Sequence, residues 1–536
     1  MKKPIILIFL ASLLLTSCDF LDFDYYDGPI TEDQFWNLDL SARGQLNQGY
    51  AYLQEGYNRY DGAMLAAGCD EAVNSNLNST VNIFNNGTWS PLRTLDDVYA
   101  TNYNGIRQVN VFLEHANQAN ITPAADIPRL RGEAFFLRAY FHFELLKRYG
   151  GVIIVNKVFS TADNMDLPRN TFSETVNQIL ADCDSAILVL PLSVAQYGDA
   201  NKGRATKTAA LALKSRTLLY AASPLNNSGN DISLWQKAAA VSKEIIDSKA
   251  CSLYSNYANV FNYSAAAYNT EVIFATQATG RNDIETNNAP ISYDGALGRT
   301  NPTQELVDAY EMKNGLPITD LASGYDPNNP YVNRDPRLGY SIFYNGSSFK
   351  GLPVDTYVNG KDGIDKNVNA TKTGYYMAKF LSASATWNQA TNTVVRRPWV
   401  IFRYAEVLLN YAEAQNEAVG PDASVYDAVN QVRKRAGMPN LPVGLSQAQM
   451  RERIRNERRI ELAFEEHRFF DVRRWKIGEQ VLSKPVTGMR INLNGSTYTY
   501  ERFTVENRSF SEKNYRYPFP QSEMDKTTKL VQNEGW

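Results

Sequence analysis

Apolar residues recur every three to four positions along several long stretches, the period of a helix with one buried face. In residues 401–418 the set Phe402, Ala405, Leu408, Leu409 and Ala412 keeps that spacing. Residues 131–149 behave alike and stop at Gly150-Gly151, a C-terminal signal. Further helices are predicted over 172–190, between Thr171 and Pro191, and over 204–222, ahead of Pro224. The segments 234–249, 303–312 and 425–436 complete the set. Alanine recurs inside these helices at close-packing positions, and starts near 172, 204 and 234 lie about thirty residues apart. That interval predicts a tetratricopeptide-like solenoid of helix pairs, whose repeat is ~34 residues. Strand patterns are short and few, at 152–155, 272–276 and 497–504. Between 281 and 396 Gly, Asn, Asp, Pro, Tyr and Ser dominate and helical periodicity fades, and 74–94 reads as a second loop. Loops of that length usually carry function. The predicted class is mainly α: a helix-pair solenoid with long irregular loops and minor short strands.

Composition narrows the function. With 536 residues, 44% apolar content and a net charge of −3, dominant disorder and basic nucleic-acid binding are both excluded. Aromatic content is 12%, led by 32 Tyr, a residue suited to recognition by its flat face and polar tip.

The first residues, MKKPIILIFLASLLLTSC, pair a basic start at Lys2 and Lys3 with an apolar run from Ile5 to Leu15. That run is too short for an ordinary spanning helix and reads as a secretory signal. Leu15-Thr16-Ser17-Cys18 resembles a bacterial lipobox, which makes Cys18 the lipidated first residue of the mature chain. Removing 1–17 takes two lysines and no acid, so the charge moves from −3 to −5. No later run reaches the ~18 apolar residues of a membrane span. The mature protein is therefore expected to be tethered by lipid, with 18–40 as the tether. Cys69, Cys183 and Cys251 match no zinc spacing and read as small buried residues, with room for at most one disulfide.

Catalytic machinery is hard to find. Glu457, Glu461 and Glu465 recur at i, i+4, i+8, which would put them on one helix face. Arg453, Arg458 and Arg468 interleave with them, so the pattern reads as ion-pair lacing rather than a glycosidase carboxylate pair. His115, His142 and His467 lie in separate segments, and neither an HExxH nor a Walker loop nor a G-x-S-x-G elbow occurs. No metal, cofactor or enzymatic activity is expected. A binding site needs less: exposed rings to stack on a ligand's apolar faces, with amides or carboxylates for its polar groups. Residues 68–89 supply Asp70, Asn86 and Trp89, and the later loops supply Tyr293 and Trp387.

Nine segments together resemble the SusD/RagB-like outer-membrane lipoproteins. They include the lipobox, RGEAFFLRAYFHFELLKRYGG at 131–151, RATKTAALALKSRTLLYAAS at 204–223, NPTQELVDAYEMKNG at 301–315 and RDPRL at 334–338. RYAEVLLNYAEAQNE at 403–417, AVNQVRKRAGMP at 428–439, IRNERRIELAFEEHRFFDVRRW at 454–475 and YPFPQSEMDKTTKLVQNEGW at 517–536 follow in order. The resemblance implies a SusD-like helical body of four tetratricopeptide-like pairs with long loops. It implies a lipoprotein on the extracellular side of the outer membrane that binds oligosaccharide. The bound glycan would pass to a partner SusC-like TonB-dependent transporter. It also implies an aromatic glycan site with an early Trp and a nearby Asp, carried here onto Trp89 and Asp70. A lid for peptides is the alternative within the lineage, and a glycoside hydrolase is the outside rival. The expected divisions are signal 1–17, tether 18–40, helical 41–280, ligand-loop insertion 281–396 and helical 397–536.

Overall fold

A computed structural model describes residues 30–197, 201–261, 268–388 and 390–536. The signal, the lipobox and Cys18 lie outside the described residues.

Helices α1 (Asp39–Ala51), α2 (Tyr99–His115), α3 (Ile127–Tyr149), α4 (Phe172–Val189), α5 (Lys207–Ala222) and α6 (Ile232–Ser248) pack each on the next. α7 (Tyr404–Val419) then packs on α6, although some 155 residues separate them, and carries α8 (Ala423–Arg435) and α9 (Gln447–Glu461). The helical array therefore continues across the long insertion. The periodic segments all form helices, with ends shifted by up to four residues. α4 begins on a capping box in which Thr171 and Glu174 satisfy each other's backbone N–H, and α3 stops where Gly150 takes φ +79°.

Close packing explains the alanines. Ala209, Ala210, Ala212, Ala405, Ala412 and Ala414 are essentially inaccessible. Gly105 is needed for the same reason, because a Cβ there would lie 2.6 Å from the Phe141 ring.

Among the described residues every sheet is two-stranded. Strands 272–275 and 497–506 form as predicted, the second pairing with 486–494 in a hairpin. Residues 152–155 do not pair. They run extended beside α3 and α4, where Asn170 Oδ1 and His142 Nε2 take up the backbone N–H groups of Ile154 and Val155.

The carboxylate ladder needs correction. α9 ends at Glu461, and Phe464 and Glu466 both take φ +65° before α10 (His467–Arg474) begins. Glu465 thus lies in a turn and not on the helix face of Glu457 and Glu461. The charges do pair, but between elements and out of water. Buried Arg403 donates to Glu271 (2.7 Å), Glu461 (2.7 Å) and Glu465 (2.6 Å), and Arg337 donates to Glu457 (2.6 Å) and Glu461 (3.0 Å). Buried pairs of this kind add little net stability over apolar packing, but losing one partner strands a charge. They join the insertion to the helices by a unique geometry. Cys69, Cys183 and Cys251 are free thiols, and burial pushes Cys251 up to about 12.

Candidate functional site

The sequence-derived site residues separate into two groups. Asp70 is 4% exposed and accepts from Arg468 Nε (2.9 Å) and Nη2 (2.8 Å) and from Arg459 Nη2 (2.8 Å). Burial opposes its charge, but the two guanidiniums hold the carboxyl well below the usual range. Trp89 is 2% exposed, with the Phe84, Tyr517 and Trp536 rings 4.9, 5.0 and 5.1 Å away. Neither side chain offers a face or a free oxygen to a ligand in this conformation, so the carry-over to these two positions is corrected here. Asp70 joins the chain's two ends and Trp89 is core. Asn86 is exposed, but its Oδ1 accepts from the Thr88 backbone (3.0 Å) and hydroxyl (2.6 Å), closing a local turn.

Tyr293 and Trp387 do come together. Both are half-buried on a small apolar cluster built from Ala289, Ala296, Phe343, Phe349, Val354 and Tyr376, separate from the main core. The Tyr293 hydroxyl donates to the Phe349 carbonyl, with the two rings 5.1 Å apart edge to face. Trp387 Nε1 donates to the Asp294 carbonyl (2.8 Å), beside Gly295 at φ +75°.

A short hairpin organises this cluster. Phe349 pairs with Leu352, and the two turn residues Lys350 (φ +50°) and Gly351 (φ +77°) have the double positive φ of a type I′ turn. The turn places the Lys350 ammonium 4.4 Å from the centre of the Trp387 ring, where it also bonds the Ala385 carbonyl. Burial lowers the Lys350 pKa, and the negative ring face compensates part of that cost.

The hairpin forms one wall of an open groove of about 290 Å³. Phe343, Phe349 and Phe380 supply apolar floor, Tyr340 is a 46%-exposed ring on the rim, and Ser348 and Ser382 add hydroxyls. Flat apolar surface beside hydroxyl and amide partners suits a polyhydroxylated ligand. Sequence reading missed Tyr340, Phe349 and Lys350. The Lys350-Gly351 pair between Phe349 and Leu352 was the available hairpin signal.

Glu457, Glu461 and Glu465 each accept from guanidinium or ammonium groups, and among the described residues no cluster of His, Cys, Asp and Glu could hold a metal ion.

The SusD family model matches residues 270–536, and a model described as "Starch-binding associating with outer membrane" matches residues 20–219. A crystal structure of a SusD-like protein from Bacteroides fragilis is 32% identical, covers 95% of this chain and 99% of its own, and superposes with a TM-score of 0.82. A SusD-like carbohydrate binding protein from the same species is 27% identical over 93% of this chain and 100% of its own, with a TM-score of 0.79. SusD-like protein P25 of Formosa agariphila is 26% identical over 400 residues, covering 72% of this chain and 71% of that protein.

Proposed function

The chain belongs to the SusD family, and from that membership we propose that it is a non-catalytic, surface-exposed outer-membrane lipoprotein that captures oligosaccharide for a SusC-like TonB-dependent transporter. The observation that carries the reading is the meeting of Tyr293, Trp387 and Lys350 beside the Tyr340 groove. The loops that build it fall mostly within 281–396. Its rings supply stacking surface and its serines supply hydroxyl partners. The carbohydrate-binding relative supports the ligand class, and the family description supports the outer membrane. Among the described residues no helix is long and apolar enough to cross a membrane; the lipobox-like Leu15-Thr16-Ser17-Cys18 supports Cys18 as the lipid anchor.

The helix array α1–α6 offers a long rigid surface of the kind solenoids use for protein contact. A stable pair with the barrel would bury about 1,600 Å² or more. Tagging the protein in its native membrane and purifying in mild detergent should recover a barrel transporter in near-equal amount.

Calorimetric titration with α- and β-glucan oligosaccharides, followed by product analysis, tests the ligand class. Binding without new reducing ends is expected. Binding of peptides alone would move the same lid role to a peptide nutrient, and release of sugar would end the non-catalytic reading.

A further inference from the structure

The groove beside Tyr293 and Trp387 carries charge of one sign on its walls. Its charged lining residues are Lys350 and Lys379, with no Asp or Glu among the rest. The two lysines differ in what they have left to offer.

Lys379 is fully used. It is 3% exposed, and its ammonium donates to the Glu461 carbonyl (3.2 Å), the Ala463 carbonyl (2.9 Å) and Glu465 Oε1 (2.6 Å). Those bonds take all three of its N–H groups.

Lys350 keeps two N–H groups free. Its hydrogen bond goes to the Ala385 carbonyl, and among the described residues it forms no ion pair. Its nitrogen stands 4.4 Å from the centre of the Trp387 ring and 5.7 Å from that of Phe349. Ring faces attract a cation but do not neutralise it. The carboxylate that acts on Lys350 through space is Glu285, which is buried and already accepts from Arg397 Nη2 (2.9 Å) and the Ser382 backbone N–H (2.8 Å).

The turn fixes where this ammonium stands. Lys350 takes φ +50°, a conformation that Asn or Gly adopts with less strain, and the pairing of Phe349 with Leu352 holds it on the groove wall. Partial burial already lowers its pKa. A neutral guest seated in the groove would strip more water from the ammonium and return only hydroxyl contacts. Desolvating a charge is favourable only where an opposite charge meets it. A guest bearing an anion meets that condition, with a charge-assisted hydrogen bond roughly twice as strong as a neutral one.

We propose that the ligand of this groove is an acidic oligosaccharide, whose carboxylate or sulfate group pairs with Lys350 while its sugar rings lie on the floor of Phe343, Phe349 and Phe380. This ligand class rests on the oligosaccharide-capture reading above and narrows it to anionic glycans. Uronic acids and sulfated sugars share the required anion.

An array of neutral, uronate-bearing and sulfated oligosaccharides, probed with the unaltered mature protein, tests the assignment. Acidic glycans should bind, and calorimetry should give them roughly tenfold or greater affinity over a neutral glycan of equal length. Lys350→Met leaves an apolar stem on the Trp387 ring without the charge and should erase that difference, whereas Lys350→Arg should retain most of it. Reducing the carboxyl groups of the bound glycan, or removing its sulfates, shows which anion is read. Binding of neutral glycans alone, or an acidic preference that Lys350→Met leaves unchanged, overturns the proposal while the capture reading stands. An array on which no glycan binds overturns both.

Discussion

Asp70 and Arg468 form a two-pronged ion pair across 398 positions of sequence, with Oδ1 2.9 Å from Nε and Oδ2 2.8 Å from Nη2. Arg459 joins from α9 while Arg468 lies on α10, so one early carboxylate ties two helices of the C-terminal motif together. Asp70→Asn keeps the shape and removes the charge, leaving two guanidiniums short of a partner. The expected cost is about 3–5 kcal/mol of stability, the range for breaking one side of a buried pair. Urea unfolding measures it. A stable Asp70→Asn protein with weakened glycan binding would return Asp70 to the ligand site.

Trp89 and Trp387 should behave as opposites. Trp89→Ala opens a cavity between Phe84, Tyr517 and Trp536 and is expected to cost about 3–5 kcal/mol of stability, with Trp89→Phe recovering much of it. Ligand affinity of the folded fraction should not change.

Trp387→Ala removes a ring from the edge of the proposed site. By analogy with bases stacked on aromatic rings, the expected loss in oligosaccharide affinity is roughly 1–3 kcal/mol, with Tm nearly unaltered. Titration with whichever glucan binds the unaltered protein is the check, and equal affinities would exclude Trp387.

Glu71 gives stability a slope against pH. Burial, then neighbouring Asp70, push its carboxyl from 4.5 up to about 8. Between those values the unfolded chain has lost a proton that the native protein keeps, so stability falls as pH rises through that window. Glu71→Gln removes the proton. Its stability relative to the unaltered protein should therefore improve steadily from pH 5 to pH 8, as urea midpoints at several pH values would show. Glu413 acts at the acid end: burial opposes its charge, but Arg474 lowers it to about 2, so its contribution disappears as pH drops from 4.5 towards 2.

Cys18→Ala tests the anchor. Loss of radiolabelled palmitate and release from the outer-membrane fraction are expected. A variant that stays lipid-labelled in that fraction would show that the lipobox reading is wrong.

Helix positions were legible because a 3.6-residue period is a local property, written into each stretch by the side chains that must face the core. Start and stop signals such as the Thr171 cap and Gly150 are local too. The nine ordered segments likewise needed only the sequence to indicate the family. Loop side chains are different, because of the three rings that enclose Trp89 only Phe84 is near it in sequence. Its burial depends on Tyr517 and Trp536 arriving from the far end of the chain. Asp70 looked like a ligand group for the same reason, since its two arginine partners lie some 390 residues away. Glu465 left its predicted helix face because positive φ at Phe464 and Glu466 ends the helix to reach Arg403 and Lys379. Burial and charge pairing of loop residues are set by long-range packing, and only the tertiary structure could decide them.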